Sequence, residues 1–273
     1  MLIPSLMGNV PDYVELQLIA ERNKLWLIED SCDTLGAKID DKYTGTFTDI
    51  STSSFYASHI ITTGGHGGMV AFHRDDWVDK AKTLISWGRS SARNETEDIN
   101  VRFNVSVDGI PYDAKFVFEE VGYNFQSTDI DAAFGLGQLK KFQDRFEIRK
   151  SNFNKLYDFF RKYEEFFVLP IQSPRVDTCW LAFPLTIRDN APFRRRDLAI
   201  HFETNGIQTR PFFTGNVMRH PAFKNKPSRK AATGYANADL IMRGSLVIGC
   251  HHAMNQEQID YIKDIFVDFI KKY

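Results

Sequence analysis

Cysteine is scarce. The 273 residues contain three, Cys32, Cys179 and Cys250, scattered along the chain. That is too few for a disulfide framework, which favours a reducing cytoplasm, and one short of a four-thiolate iron–sulfur site. Charge of either sign is not in excess: 34 Lys+Arg against 35 Asp+Glu leave a net charge of −1. Such a chain has no basic field for nucleic acid. No apolar run approaches the ~18 residues of a membrane span, and no basic, then apolar, then small-residue leader opens the chain. Neither CxxC nor HExxH spacing occurs, so a zinc site has no support, and no Gly-Lys-Ser/Thr follows a glycine-rich loop, which excludes a Walker nucleotide site. Internal repeats and low-complexity linkers are also missing.

What is present reads as an ordinary globular chain, 43% apolar and 25% charged. The 23 Phe and 10 Tyr point to a well-filled core and a large interface. At ~150 residues per domain the length allows about two domains. Met1–Leu6 reads as the end of a buried strand and Val10–Arg22 as a helix with Asp12 near its start. Leu25–Ile28 reads as a strand buried on both faces, and Ile50–Tyr56 and Gly67–Phe72 as two more; Asp75–Trp87 reads as a helix. This alternation predicts a mostly parallel α/β sheet, whose ligands bind beyond the carboxyl ends of its strands. A long helical stretch, Asp129–Glu164, leads out of it. Beyond Pro170, strands at Trp180–Ile187, Gly206–Arg210 and Ser245–Gly249 and helices at Arg195–Asn205 and Gln256–Lys271 predict a small α+β domain. The expected division is 1–150 and 151–273.

Two polar bursts follow strands. In the first, Glu29, Asp30 and Asp33 place three carboxylates in five residues. Asp30 would ordinarily be a cap or turn residue, but this crowding calls for a cation nearby, and a protonated ring nitrogen fits. In the second, Ser54 to Gly68 joins hydroxyl residues to the glycine-rich turn Gly64-Gly65-His66-Gly67-Gly68, whose N–H groups could hold a phosphate. His59 within it is more often structural, yet imidazole is the side chain suited to proton transfer near neutral pH. Cys250-His251-His252, with His66, His73 and His220, is a rival metal cluster. Adjacent histidines on a strand face opposite ways, which argues against one site using both.

Several of these segments together resemble one family. Leu27-Ile28-Glu29-Asp30-Ser31-Cys32-Asp33-Thr34-Leu35-Gly36, Gly45-Thr46-Phe47-Thr48-Asp49-Ile50, Ser54-Phe55-Tyr56 with the glycine-rich loop, Gly122-Tyr123-Asn124-Phe125 running on through Asp129 to Leu139, and Gly206-Ile207-Gln208-Thr209-Arg210-Pro211 are similar, in order, to the DegT/StrS family of nucleotide-sugar aminotransferases. The resemblance implies the aspartate-aminotransferase fold (fold type I), pyridoxal phosphate as cofactor, and a homodimer with shared active sites. It implies that Asp30 pairs with the ring nitrogen, that Asp33 stands where Gln is usual near the ring hydroxyl, and that Ser54 holds the phosphate. Asn124 would reach the partner subunit's cofactor phosphate, and Arg210, Arg219 and His220 the substrate.

One departure carries the functional expectation. The lysine that holds the family's cofactor covalently is replaced by His59, and no lysine occurs between Lys42 and Lys80. This resembles the branch that uses pyridoxamine phosphate to remove the C3 hydroxyl of 4-keto-6-deoxy nucleotide sugars in deoxysugar and lipopolysaccharide synthesis, with histidine as base and glutamate as amino donor. The three cysteines place the chain with the members that lack an iron–sulfur cluster. His66 lies near a usual Glu in a loop one residue longer than usual. The family runs longer than 273 residues, and the resemblance implies that an N-terminal part is missing.

Overall fold

The structure is a computed structural model that describes residues 1–273. Its first part contains β1 (Leu2–Pro4), α1 (Tyr13–Arg22), β2 (Ile28–Asp30), the two-residue strands β3 (Lys38–Ile39) and β4 (Lys42–Tyr43), β5 (Ile50–Ser54) and β6 (Gly68–Phe72). Helix α1 begins after Pro11 because Asp12 caps it, its Oδ1 accepting the Glu15 N–H at 3.2 Å. The sheet order is β1-β2-β5-β6, with β1, β2 and β5 parallel and β6 antiparallel. The mostly parallel sheet is thus as the sequence predicts. Strand β2 sits later than the apolar run that announced it. Leu25 and Trp26 are exposed, Trp26 edge-on to Trp77 at 4.8 Å, and the strand itself carries Glu29 and Asp30. The buried apolar cluster here is small: Val10, Tyr13, Ala20, Leu27, Ala37 and Ile39.

Next come α2 (Asp75–Ile85), α3 (Ile99–Arg102), the hairpin β7 (Val105–Val107) and β8 (Ile110–Tyr112), and α4 (Asp129–Leu139). Asp108 and Gly109 both take positive φ in the two-residue turn, as a primed turn requires. The expected helix over 129–164 breaks at Lys140-Lys141, after which α5 (Phe142–Phe160) runs on. Along this middle stretch many apolar residues face outward, Val121 and Ile130 most of all.

The last part holds β9 (Phe167–Val168), β10 (Val176–Asp177), β11 (Ala182–Ile187), α6 (Arg195–Thr204), β12 (Thr209–Pro211), α7 (Ala236–Gly244), β13 (Ser245–Gly249) and α8 (Gln256–Ile270). Its sheet, ordered β12-β13-β11-β9, is antiparallel throughout. A core of 20 buried residues lies between that sheet and helices α5, α6 and α8. Phe153 stacks on Trp180 at 4.1 Å, and Phe183 packs on Phe153 and Phe160. The connection from 171 to 181 returns to the first part. There β10 pairs with β3, the Gly8 carbonyl accepts from the Thr178 hydroxyl at 2.9 Å, and the Met7 carbonyl accepts from the Leu181 N–H at 2.9 Å. No helix is long and apolar enough to cross a membrane.

Candidate active site

Three adjacent parallel strands end together. Pro4 of β1 lies opposite Asp30 of β2, and Asp30 opposite Thr52 of β5. Their carboxyl ends border a cavity of about 230 Å³ lined by Pro4, Ser5 and Leu6 after β1, Asp30, Cys32 and Asp33 after β2, His59 after β5, and Phe213 from the last part. It lies where the parallel-sheet rule puts ligands.

Asp30 does not cap a helix. Its Oδ1 accepts the Cys32 N–H at 3.2 Å in a local turn, and no lysine or arginine pairs with it. A carboxylate at a cavity wall without a cationic partner fits a protonated ring nitrogen there. Asp33 is buried; its Oδ2 accepts the Met7 N–H at 3.0 Å and its Oδ1 lies 3.4 Å from His59 Nδ1. That separation is long for a charge-assisted hydrogen bond, and His59 Nδ1 is buried without a hydrogen-bond partner, so the two groups stand as a close ion pair. The Asp33 carboxylate raises the His59 pKa above its ordinary value, outweighing the burial that lowers it; Asp30 and a Cys32 backbone contact add to the rise. Cys32, pushed up to about 12 by burial first and then by Asp30, remains a thiol at neutral pH.

The structure brings Asp30, Asp33 and His59 together. The other expected residues lie elsewhere. Ser54 ends β5, its Oγ accepting the Tyr56 N–H at 3.2 Å, but it does not line this cavity. Asn124 is exposed, bridged to Ser86. Arg210 folds its guanidinium onto the Thr209 carbonyl, beside Arg195 and Arg196 in a separate cleft. Arg219 is paired with Asp239, and His220 Nε2 is 2.9 Å from the Thr214 carbonyl oxygen. Sequence reasoning missed Ser5, Cys32 and Phe213. For Ser5 the signal was available: it follows β1 as Ser31 follows β2. Nothing local announces Phe213.

His66 belongs to a second, larger cavity of about 770 Å³ with Thr63, Gln126, Ser127 and Asp131. Gly64, Gly65 and Gly67 around it all take positive φ, a conformation that favours glycine. The rival metal cluster does not converge. Cys250 is buried against the Trp180 carbonyl, burial pushes His252 down to about 4, and no three metal-binding side chains gather anywhere.

A mostly parallel sheet followed by an antiparallel sheet with its helices is here the aminotransferase fold of pyridoxal-phosphate enzymes. The chain belongs to the DegT/DnrJ/EryC1/StrS aminotransferase family, which it matches over residues 1–267. It is 34% identical over 272 residues to the lipopolysaccharide biosynthesis protein RfbH of Salmonella typhimurium, a match covering 98% of this chain and 62% of that protein. It is 33% identical to the dTDP-4-dehydro-2,6-dideoxy-D-glucose 3-dehydratase of Saccharopolyspora spinosa, covering 97% of this chain and 58% of that one. The solved E. coli GDP-4-keto-6-deoxy-D-mannose-3-dehydratase with bound hydrated PLP superposes with a TM-score of 0.84 at 25% identity, covering 97% of this chain and 66% of that chain. The chain therefore spans about six-tenths of the length of the curated relatives.

Proposed function

We propose that this chain serves as a pyridoxamine-phosphate-dependent 3-dehydratase of a nucleotide-linked 4-keto-6-deoxyhexose, in cytoplasmic deoxysugar synthesis for lipopolysaccharide. One observation carries the reading. The cavity that holds the unpaired Asp30 is faced by His59, and no lysine lines it. Bound there, the cofactor supplies an amine for the sugar ketone and a ring that accepts electrons. Asp30 holds the ring nitrogen protonated. His59 takes a proton at an imidazole nitrogen and cannot hold the cofactor covalently, as a lysine would. In this reading residues 1–150 form the cofactor-binding domain and 151–273 the small domain. By the family pattern alone, Ser54 holds the phosphate and Arg210, Arg219 and His220 face the substrate, although none of the four lines the cavity. The protein is a homodimer in which Asn124 serves the partner's site, and glutamate restores the cofactor amine.

The test incubates the purified chain with pyridoxamine phosphate and a GDP- or dTDP-linked 4-keto-6-deoxyhexose. The expected product is lighter by one oxygen atom, with pyridoxal phosphate and ammonia formed from the pyridoxamine phosphate consumed, and His59→Asn abolishes it. An amino sugar formed instead, with glutamate present, would replace this reading by an aminotransferase. If neither product forms and no cofactor is retained, the chain has no activity of its own.

A further inference from the structure

Asp33 falls to a different task from the one its position in the family's pattern implies. We propose that Asp33 is the positioning residue of His59: its carboxylate accepts a hydrogen bond from Nδ1–H, keeps the proton of the neutral ring on that nitrogen and leaves the Nε2 lone pair to accept the proton of the reaction. The inference rests on the dehydratase reading for its catalytic meaning, but its geometry stands without it.

Four observations meet here. Asp33 is buried with 6% of its surface exposed, so its carboxylate requires partners. One oxygen is fixed by a backbone group, the Met7 N–H at 3.0 Å, which anchors the side chain without neutralising it. The other is 3.4 Å from His59 Nδ1, within ion-pair reach of a nitrogen that is itself buried and otherwise makes no hydrogen bond. Both residues line the same cavity, so the second ring nitrogen is the one available to a ligand. A carboxylate behind an imidazole fixes its tautomer and stabilises the imidazolium that forms when Nε2 is protonated. A glutamine at position 33 could accept a hydrogen bond from Nδ1–H but would bring no charge to hold that imidazolium.

The groups facing His59 are Asp30, Cys32 and Asp33 from the segment after β2, Tyr56 from its own loop, with rings 6.2 Å apart, and the uncharged Phe213. Cys32 is protonated, so Asp30 is the other charge that matters. Removing the charge of Asp33 therefore lowers the His59 midpoint without abolishing the influence of Asp30.

The experiment is a titration of the histidine ring nitrogens by nitrogen-15 NMR in the whole chain, with His59→Asn used to assign the signal. In the parent chain, neutral His59 is expected to carry its proton on Nδ1. Asp33→Asn should lower the midpoint by about one pH unit or more and mix the tautomers, and Asp33→Glu should restore most of the shift. Where dehydration is measurable, the acidic limb of its pH profile, where protonation of His59 removes the base, should move with the midpoint. A midpoint and tautomer unchanged in a folded Asp33→Asn chain overturn the proposal, whatever the activity. A normal NMR result with no dehydration leaves the pair standing and overturns the dehydratase reading instead.

Discussion

The two ends of the molecule stabilise themselves by different means. The C-terminal part surrounds 20 buried residues, dominated by phenylalanine, between an antiparallel sheet and three helices. The N-terminal part gathers six buried apolar residues and places Glu29, Ser31, Asp33, Thr34, Thr44 and Thr48 among its buried side chains. Between them, residues 99–139 turn phenylalanines, valines and isoleucines outward. Apolar burial stabilises whatever its surroundings, whereas a buried polar group stabilises only while each of its partners is in place. The end built on apolar packing contributes one ring, Phe213, to the cavity, and the end rich in buried polar groups contributes the chemistry.

The largest effect should come from the apolar end. Phe183 is fully buried against Phe153 and Phe160. Phe183→Ala should cost about 3–5 kcal/mol in denaturant unfolding. A loss below about 1 kcal/mol would mean that this core is not tightly packed.

The polar end should respond to pH instead. Glu29 is fully buried; Ser51 Oγ donates to its Oε2 at 2.9 Å, while Oε1 has no partner. Burial pushes its pKa above the ordinary 4.5. The folded chain then keeps a proton that the unfolded chain releases, so this contribution to stability is full below 4.5 and is lost as pH rises through the raised value. Within that window the slope is at most about 1.4 kcal/mol per pH unit. Glu29→Gln should flatten it, as seen in unfolding midpoints at acidic and neutral pH; an unchanged slope would show that Glu29 titrates normally.

The smallest effect belongs to the outward-facing stretch. Val121 is 95% exposed. Val121→Thr should change stability by no more than about 0.5 kcal/mol. A larger loss in concentrated protein that vanishes on dilution would show that another surface covers this face, and sedimentation would report it.

The same contrast governed what could be read from the sequence. Where apolar spacing and a cap coincide, the elements were legible: α1 follows Asp12, β13 spans Ser245–Gly249 as expected, and α8 starts after Asn255, whose side chain accepts the Gln258 N–H at 3.0 Å. Strand β2 was displaced because its most apolar neighbours, Leu25 and Trp26, lie outside it and the strand carries two carboxylates. Strands β3, β4 and β10 have two residues each and bear Lys38, Lys42 and Asp177, leaving no alternation to detect. The hairpin 105–112 did have a signal, Asp108-Gly109 between valine and isoleucine. Asp30 and His59 were legible because each follows a strand end with unusual neighbours. The contact of Asp33 with His59 was not, because it depends on how two loops 26 residues apart fold over one another.

Helix α5 has a mechanical consequence. At 19 residues it is a rod of about 28 Å. Phe146, near its start, shares a small cluster with Ile60 and Cys179, and Phe153, Leu156 and Phe160 further along are set in the large C-terminal core. Ile60 adjoins His59 in the chain. One rigid axle thus has its far end clamped in phenylalanine and its near end bearing on the neighbour of His59. The segment that carries His59 is braced, through Ile60 and Phe146, by the same helix that the C-terminal core holds.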